Sequence, residues 1–495
     1  MNTPLVVEER TYGGWTTPRR EGLWGMGWTV SVLGFVAVVI ALLMLMLIGP
    51  IAGVSVGAIE LVLLVPLAIS SGGRTGYERA ILMIGWMRTC LRRENLYAAG
   101  VFSRFGTCKL PGLMATSKLY EGVDAAGYRF GMTHMPSHHL YTVMVKCWPQ
   151  GARAVDQDRI DQWVGAWGNL LATLGEKPDI EAITVVVDSM PETGNRLATE
   201  VNNLTVDTAP EPARLMMAQL AEQLPSESVR MESWCSISFK ATTPARRKVP
   251  AEQAEEIGRR LPLIVAALAD AGVRARPMTG EEIIAVVRRS WDPASEADLE
   301  EAAELGESHG LTWDDAGPVH HDEKLGHLLH DGTMSVTWEC DGAPEGVVRE
   351  RVLQRLLAPN DQLPRKRVAV IYRPHSAGDA ADIVDNDYKD ALVAAQTERG
   401  VGSATAAIRV EATEQARGEQ ARGHGVTRVG YLITVTAQND TELPSIEAIT
   451  KDLASQTRLK IRRCYRYQAA AFAASMGAGA LLPEMSSLPK VVKAS

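Results

Sequence analysis

No lysine follows a glycine anywhere in the 495 residues. The chain therefore lacks the G-x-x-x-x-G-K-[ST] loop that cradles nucleotide phosphates, and P-loop hydrolysis of ATP is excluded. It also lacks a G-x-G-x-x-G turn opening a helix after a strand, and its two G-x-S-x-G stretches, at 53–57 and 306–310, follow no predicted strand, so neither is a nucleophile elbow. Cysteine is sparse: Cys90, Cys108, Cys147, Cys235, Cys340 and Cys464 stand singly with no C-x-x-C. That spacing argues against a disulfide framework or zinc ribbon and for reduced thiols. Nor is there a basic excess. The formal net charge of −8 argues against direct, sequence-specific nucleic-acid binding.

What the sequence does carry is a long apolar run. From Thr29 to Ser70 the single charged residue is Glu60. A helix crosses the hydrocarbon core in about 20 residues, so this stretch has the length for two passes. Gly49, Pro50 and Gly53 sit at its centre, where a tight reversal needs helix-ending and flexible residues. The expectation is two transmembrane helices, over 24–48 and 52–70. Arg10, Arg19 and Arg20 precede the run and an arginine cluster follows it, which places both termini in the cytoplasm of a multi-pass inner-membrane protein. Glu60 lies near mid-depth with no cationic partner in either helix. It is either protonated and hydrogen-bonded, to Ser55 or a backbone carbonyl, or turned toward another subunit's helix. Gly53-x-x-x-Gly57 beside it offers such a helix a close approach.

Residues 72–109 are basic, with Arg74, Arg79, Arg88, Arg92 and Arg93 among them. Apolar residues from Ile81 to Leu91 alternate with these arginines. The pattern predicts an amphipathic helix on an anionic leaflet, or a packed helix leading into the body.

Beyond it, alternation of β-branched and aromatic residues predicts strands in two parallel series. The first holds 140–149, 180–191, 229–241 and 272–277; the second holds 333–342, 365–374, 426–438 and 458–465. Helical spacing fills the gaps, and corresponding elements lie about 190 residues apart. The fold class expected is an N-terminal two-helix transmembrane hairpin plus an α/β (α+β) cytoplasmic body. That body would be two ferredoxin-like βαββαβ units with helical insertions. The domain boundaries read as a tail 1–23, hairpin 24–70, basic segment 71–110, first α/β domain 111–290, acidic linker 291–319, second α/β domain 320–482 and tail 483–495.

One cluster has metal-ligating chemistry: "VHHDEKLGHLLHDG", with His320, His321, His327 and His330 beside Asp322, Glu323 and Asp331. His327 and His330, three apart, would share a helical face. The plainer reading, solvated histidines next to a linker, is favoured, and no cofactor or catalytic residue is assigned.

Several stretches together carry a resemblance. They are "RTYGGWTTPRR", "RTGYERA", "GTCKLPGL", "HDGTMSVTWE", "RKRVAVIYRPH", "TRVGYLITVTA" and the ending "YQAAAFAASMGAGALLPEMSSLP". In this order they resemble a membrane-protein family of actinobacterial integrative and conjugative elements. Its members look like a fusion of the two-helix inner-membrane subunit of type IV secretion with the N-terminal, non-ATPase domain of the secretion ATPase. The resemblance implies a non-enzymatic scaffold in an oligomeric complex with other channel subunits. It would dock a separately encoded secretion ATPase to the membrane channel. Two other classes stay open: the two-helix core subunit of a type VII secretion complex, and a membrane-anchored metalloenzyme using the His320–Asp331 cluster.

Overall fold

The computed structural model describes residues 12–13, 28–68, 70–71, 74–100, 109–151, 155–192, 204, 206, 208–223, 229–397, 404–482 and 484–485. They fall into two compact units. One comprises the described residues within 1–15, 96–384 and 415–485, the other those within 16–95 and 385–414.

In the smaller unit the apolar run forms helices Trp28–Leu47 and Pro50–Ala68, separated at Gly49, whose φ of +131° only glycine adopts freely. Two-residue strands β1 (Ser70–Ser71) and β2 (Arg74–Thr75) pair and lead into helix Gly76–Arg92. The membrane expectation is corrected here. Among the described residues no helix is long and apolar enough to cross a membrane. The transmembrane hairpin, and the multi-pass inner-membrane location read from it, are not retained.

The larger unit is built on one antiparallel sheet. After β3 (Leu96–Ala98), its first half runs β4 (Lys118–Val123), β5 (Arg129–Met135), β6 (Leu140–Pro149), β7 (Ile180–Pro191), β8 (Val229–Lys240) and β9 (Val273–Pro277). The second half runs β10 (His320–Glu323), β11 (Leu328–His330), β12 (Thr333–Asp341), β13 (Arg365–Pro374), β14 (Thr427–Ala437) and β15 (Arg462–Arg463). The spatial order is β3-β10-β11-β12-β14-β13-β7-β8-β6-β5-β4, with β9 also on β6 and β15 also on β12. The two halves thus run outward from a central seam in the same order.

Two separate ferredoxin-like units do not describe this sheet, and that expectation is corrected as well. Strands β7 and β13 pair antiparallel over seven residues, Lys366↔Ser189 to Tyr372↔Ile183, and fuse thirteen strands into one sheet. As edges of separate units they would have left two long apolar strands open to indiscriminate pairing. Fused, they bury Val186 and Ala369 completely.

Period-two alternation gives the sheet two different faces. On one, Tyr141, Val143, Ile183, Ile237 and Phe239 pack with Ile257 and Leu261 of helix Pro250–Asp270. Val336, Trp338, Val370, Ile433 and Leu453 do the same in the second half. The other face is rich in small hydroxyl residues, which pair across strands. Thr142 meets Ser238 at 2.9 Å, Ser335 meets Thr436 at 2.7 Å and Thr337 meets Thr434 at 3.0 Å. Over this face lie helix Gly280–Trp291 and the C-terminal segment 468–482, whose Phe472, Ala478 and Leu481 are buried with Trp234 and Val186.

The segment approaches closely because both surfaces are small. Trp234 Nε1 donates to the Met476 carbonyl at 3.0 Å. A Cβ on Gly477 (φ +70°) would sit 2.9 Å from Ser236 Oγ. Gln468 acts as a strand surrogate: its Oε1 accepts from Thr337 N at 2.8 Å and its Nε2 donates to Thr337 O at 3.1 Å.

The stretch expected as a solvated acidic linker is partly structural. Helix Glu296–Leu305 ends at Gly306 in the left-handed region, and Glu296, Leu299 and Glu300 are buried.

Candidate functional site

The charged residues of the central seam start the site. Asp188 on β7 is fully buried and receives two guanidinium groups from β13: Arg365 Nη2 at 2.7 Å and Arg367 Nη2 at 3.0 Å. The strand register dictates the meeting, since Arg367 lies directly opposite Asp188 and Arg365 is two positions away on the same face. Burial alone would raise the Asp188 pKa. The two arginines outweigh it and hold the carboxyl well below the usual carboxylate range. Arg367 also donates to Ser290 Oγ at 2.6 Å, and Arg365 to the Arg289 carbonyl. These bonds tie the seam to the end of helix Gly280–Trp291.

That helix is set by its cap. Thr279 Oγ1 accepts from Glu282 N at 3.3 Å and Glu282 Oε2 accepts from Thr279 N at 3.0 Å, a reciprocal capping box. Its apolar side, Ile283, Val287 and Trp291, is buried. Arg289 leaves on another side, 7 % exposed, and enters a cavity of about 410 Å³.

The cavity is walled by ion pairs. Arg230 and Glu232 come from β8, Lys146 from β6, and Glu296, Glu300 and Glu304 from helix Glu296–Leu305. Arg230 Nη1 donates to Glu300 at 2.7 Å and to Glu296 Oε1 at 3.3 Å; its Nη2 donates to Glu232. Arg289 donates to the other Glu232 oxygen and, from Nη1, to Glu296 Oε1 at 3.4 Å. Lys146 Nζ stands 3.8 Å from Glu232. Met278, Ala285, Val286, Leu299 and Ala303 supply apolar surface between these groups.

Electrostatically the pairs lock one another. Burial raises the Glu232 pKa, but Arg289, Lys146 and Arg230 outweigh it and bring the group down to about 2. Burial lowers the pKa of Arg289 and Arg230, and the surrounding carboxylates push both above the ordinary guanidinium value. At neutral pH these groups are permanently ionised. The cavity can recognise charge; none of these three has a pKa matched to proton transfer near pH 7.

The histidine cluster lies elsewhere in the sheet. Its residues form the β10–β11 hairpin rather than a helix, so His327 and His330 share no helical face. His320 is exposed and His327 half-buried. His321 sits directly opposite His330, with its ring between Tyr97 at 5.7 Å and Trp291 at 6.0 Å. His330 Nδ1 bonds the Trp291 carbonyl, so Nδ1 carries the proton, and Nε2 faces Ser335 Oγ at 2.7 Å. Burial first, then neighbouring charge, pushes His321 down to about 4 and His330 to about 3, so both rings are neutral core groups. Among the described residues no three His, Cys, Asp or Glu side chains are grouped to hold a metal ion.

The hairpin residues are placed in the smaller unit. Gly53 faces the preceding helix so closely that a Cβ would lie 2.7 Å from the Leu45 Cβ. A Cβ on Gly57 would meet Ala41 at an ordinary 3.8 Å. Gly53 therefore serves the chain's own helix pair, while the contact at Gly57 does not require glycine. Glu60 is half-buried on the second helix. Arg79, Arg88, Arg92 and Arg93 are exposed, as are Met83, Ile84, Met87 and Leu91 beside them, and Arg92 pairs with Glu94 at 3.5 Å. The side chain of Arg74 lies outside the described residues.

Sequence reasoning missed the cavity residues. Arg230 and Glu232 alternate along β8 as solvent-facing residues do, and Arg289 sits in a helix end where basic residues are common. One signal was present. Asp188 in "TVVVDSM" and Arg365, Lys366 and Arg367 in "RKRVAV" put opposite charges inside apolar strands, which calls for pairing.

The outcome of comparison with known proteins is narrow. Residues 19–78, which contain the two hairpin helices, match a family model described as a domain of unknown function (DUF8461). None of the curated proteins matches the chain.

Proposed function

We propose that this chain is a non-catalytic docking subunit of a conjugative, type IV-like secretion machine, and that it engages a separately encoded secretion ATPase through the charged cavity of its large unit. The observation that carries the reading is the fixed ionisation of that cavity. Glu232, Arg230 and Arg289 are held in their charged forms by one another, which suits recognition of a charged surface.

Two further features support it. The segment 468–482, which resembles the piece preceding the motor in secretion ATPases, is packed across both halves of the sheet through Phe472 and Leu481. These 495 residues also carry no P-loop, which supports a docking role for them over ATP hydrolysis.

Affinity purification of the tagged full-length chain from its native cells tests the reading. The expected result is a hexameric-type ATPase among the stable partners. Recovery of the chain with no ATPase subunit would overturn it.

A further inference from the structure

We propose that the open edge of β9 is a second docking surface, which takes up an extended segment of a partner protein in which acidic and apolar residues alternate. The inference is independent of the cavity and of which protein docks there.

Three observations carry it. First, the edge has free backbone groups. Among the described strands β9 pairs with β6 alone. Gln150 N donates to Gly272 O and Met278 N to Met144 O, both at 2.9 Å, which fixes the phase of the ladder. Gly272, Arg274, Arg276 and Met278 therefore turn their backbone toward β6, and Val273 and Ala275 turn theirs outward. Neither of these two has a backbone partner on that side among the described residues. A strand laid there gains main-chain hydrogen bonds, and its side chains alternate between the two faces of the sheet.

Second, the two faces offer different chemistry. Val273 and Ala275 are half-buried on the apolar face. Arg274 and Arg276 are exposed on the other, with Trp148 across from Arg274 and Lys146 across from Arg276. The Trp148 ring is 41 % exposed, with Arg276 Cζ 5.7 Å and Lys146 Nζ 5.9 Å from its centroid. Arg276 already holds Glu282 at 2.5 Å, and Lys146 stands 3.8 Å from Glu232. Arg274 has no ion pair among the described residues, so it is the cation left to meet a carboxylate on an added strand.

Third, the edge rejects its own kind. Paired antiparallel and in full register with a second copy, it would set Arg274 against Arg276, and like charges directly opposite are destabilising. Pro277 ends the edge, since proline has no N–H to offer. The occupant is thus a short acidic strand from another protein.

Fluorescence anisotropy of a dye-labelled Val-Glu-Val-Glu-Val peptide with the full-length chain tests this. Saturable binding is expected, at least tenfold tighter than for Val-Lys-Val-Lys-Val, and Arg274→Glu should reverse that preference. N-methylation of the valines, whose N–H groups would face Val273 and Ala275, should weaken binding at least tenfold. N-methylation of the glutamates, whose N–H groups point away, should not. Ala275→Pro should also weaken binding at least tenfold, since it removes an outward N–H and leaves the β6 ladder intact. The methylated peptides keep the test decisive if that variant does not fold.

Absence of saturable binding would leave the arginines as a guard against edge pairing and overturn the proposal. Equal binding of the lysine peptide, or undiminished binding of the valine-methylated one, would overturn it as well.

Discussion

Replacing Asp188 by asparagine removes the one negative charge between Arg365 and Arg367 while keeping the side chain's shape. The carboxylate is 0 % exposed and holds both guanidinium groups, at 2.7 and 3.0 Å. In Asp188→Asn these two charges stay buried, at 5 % and 2 % exposure, with no counter-ion between them. Breaking a buried ion pair from one side costs about 3–5 kcal/mol, and the shared geometry here places the expected loss in that range. The assay is guanidinium chloride unfolding followed by tryptophan fluorescence, because Trp234, Trp291 and Trp338 are each at most 1 % exposed.

pH supplies a second arm. The folded pKa of Asp188 is depressed, so its contribution is fully present above the unfolded value of about 3.9 and is lost as pH falls below it. The gap between wild type and Asp188→Asn should therefore be constant from pH 5 to 7 and shrink at lower pH. Exchanging all three groups together for apolar residues of similar volume, as Asp188→Leu with Arg365→Met and Arg367→Met, should cost far less than Asp188→Asn alone, because no orphaned charge remains. A loss under about 1 kcal/mol for Asp188→Asn would refute the argument that this centre is a desolvated, mutually dependent charge cluster.

Three other outcomes follow from the packing. Gly477→Ala should lose about 2–4 kcal/mol in the same unfolding assay, combining a left-handed φ with a 2.9 Å approach to Ser236, whereas Gly378→Ala, which meets nothing within 4 Å, should change little. Gly53→Ala should speed amide hydrogen exchange along the two hairpin helices and Gly57→Ala should not, since their Cβ atoms would stand 2.7 and 3.8 Å from the facing helix; equal effects would contradict the close approach at Gly53. His134, His321 and His330 have folded pKa values of about 4, 4 and 3, below the ordinary 6.5, so the unfolded chain binds more protons and stability should fall as pH drops from 6.5 toward 4. His134→Phe with His321→Phe should flatten that slope, and an unchanged slope would show that these imidazoles are not the titrating groups.

Local patterning told much of the secondary structure and little of the assembly. Alternation in "LYTVMVKCWP", "IEAITVVVDSMP" and "RKRVAVIYRP" located β6, β7 and β13 because each strand buries both faces and carries turn or proline residues at its ends. The fusion of the two halves was not legible, because which strand a buried β7 pairs with depends on register 180 residues away, not on its own composition. The histidine hairpin was misread for a related reason. "HHDEKLGHLLHDG" is polar enough to look solvated, yet His321 and His330 face each other across two strands and are covered by Trp291. The apolar run was read for membrane passage from its composition. The described structure uses Gly53 to bring two helices together. The cavity depends on four elements converging from residues 146 to 304, a juxtaposition that no local window contains.

The claim that the cavity is where another protein docks is tested most directly by site-specific photo-crosslinking from position 303, an exposed alanine at the cavity's edge. With a benzophenone amino acid there in the full-length chain, irradiation of native cells should yield a covalent adduct with the secretion ATPase. The adduct should disappear when Arg230→Glu is added to reverse one wall. Adducts that form equally from an exposed residue on the opposite side of the sheet, or no ATPase adduct from position 303, would contradict the account.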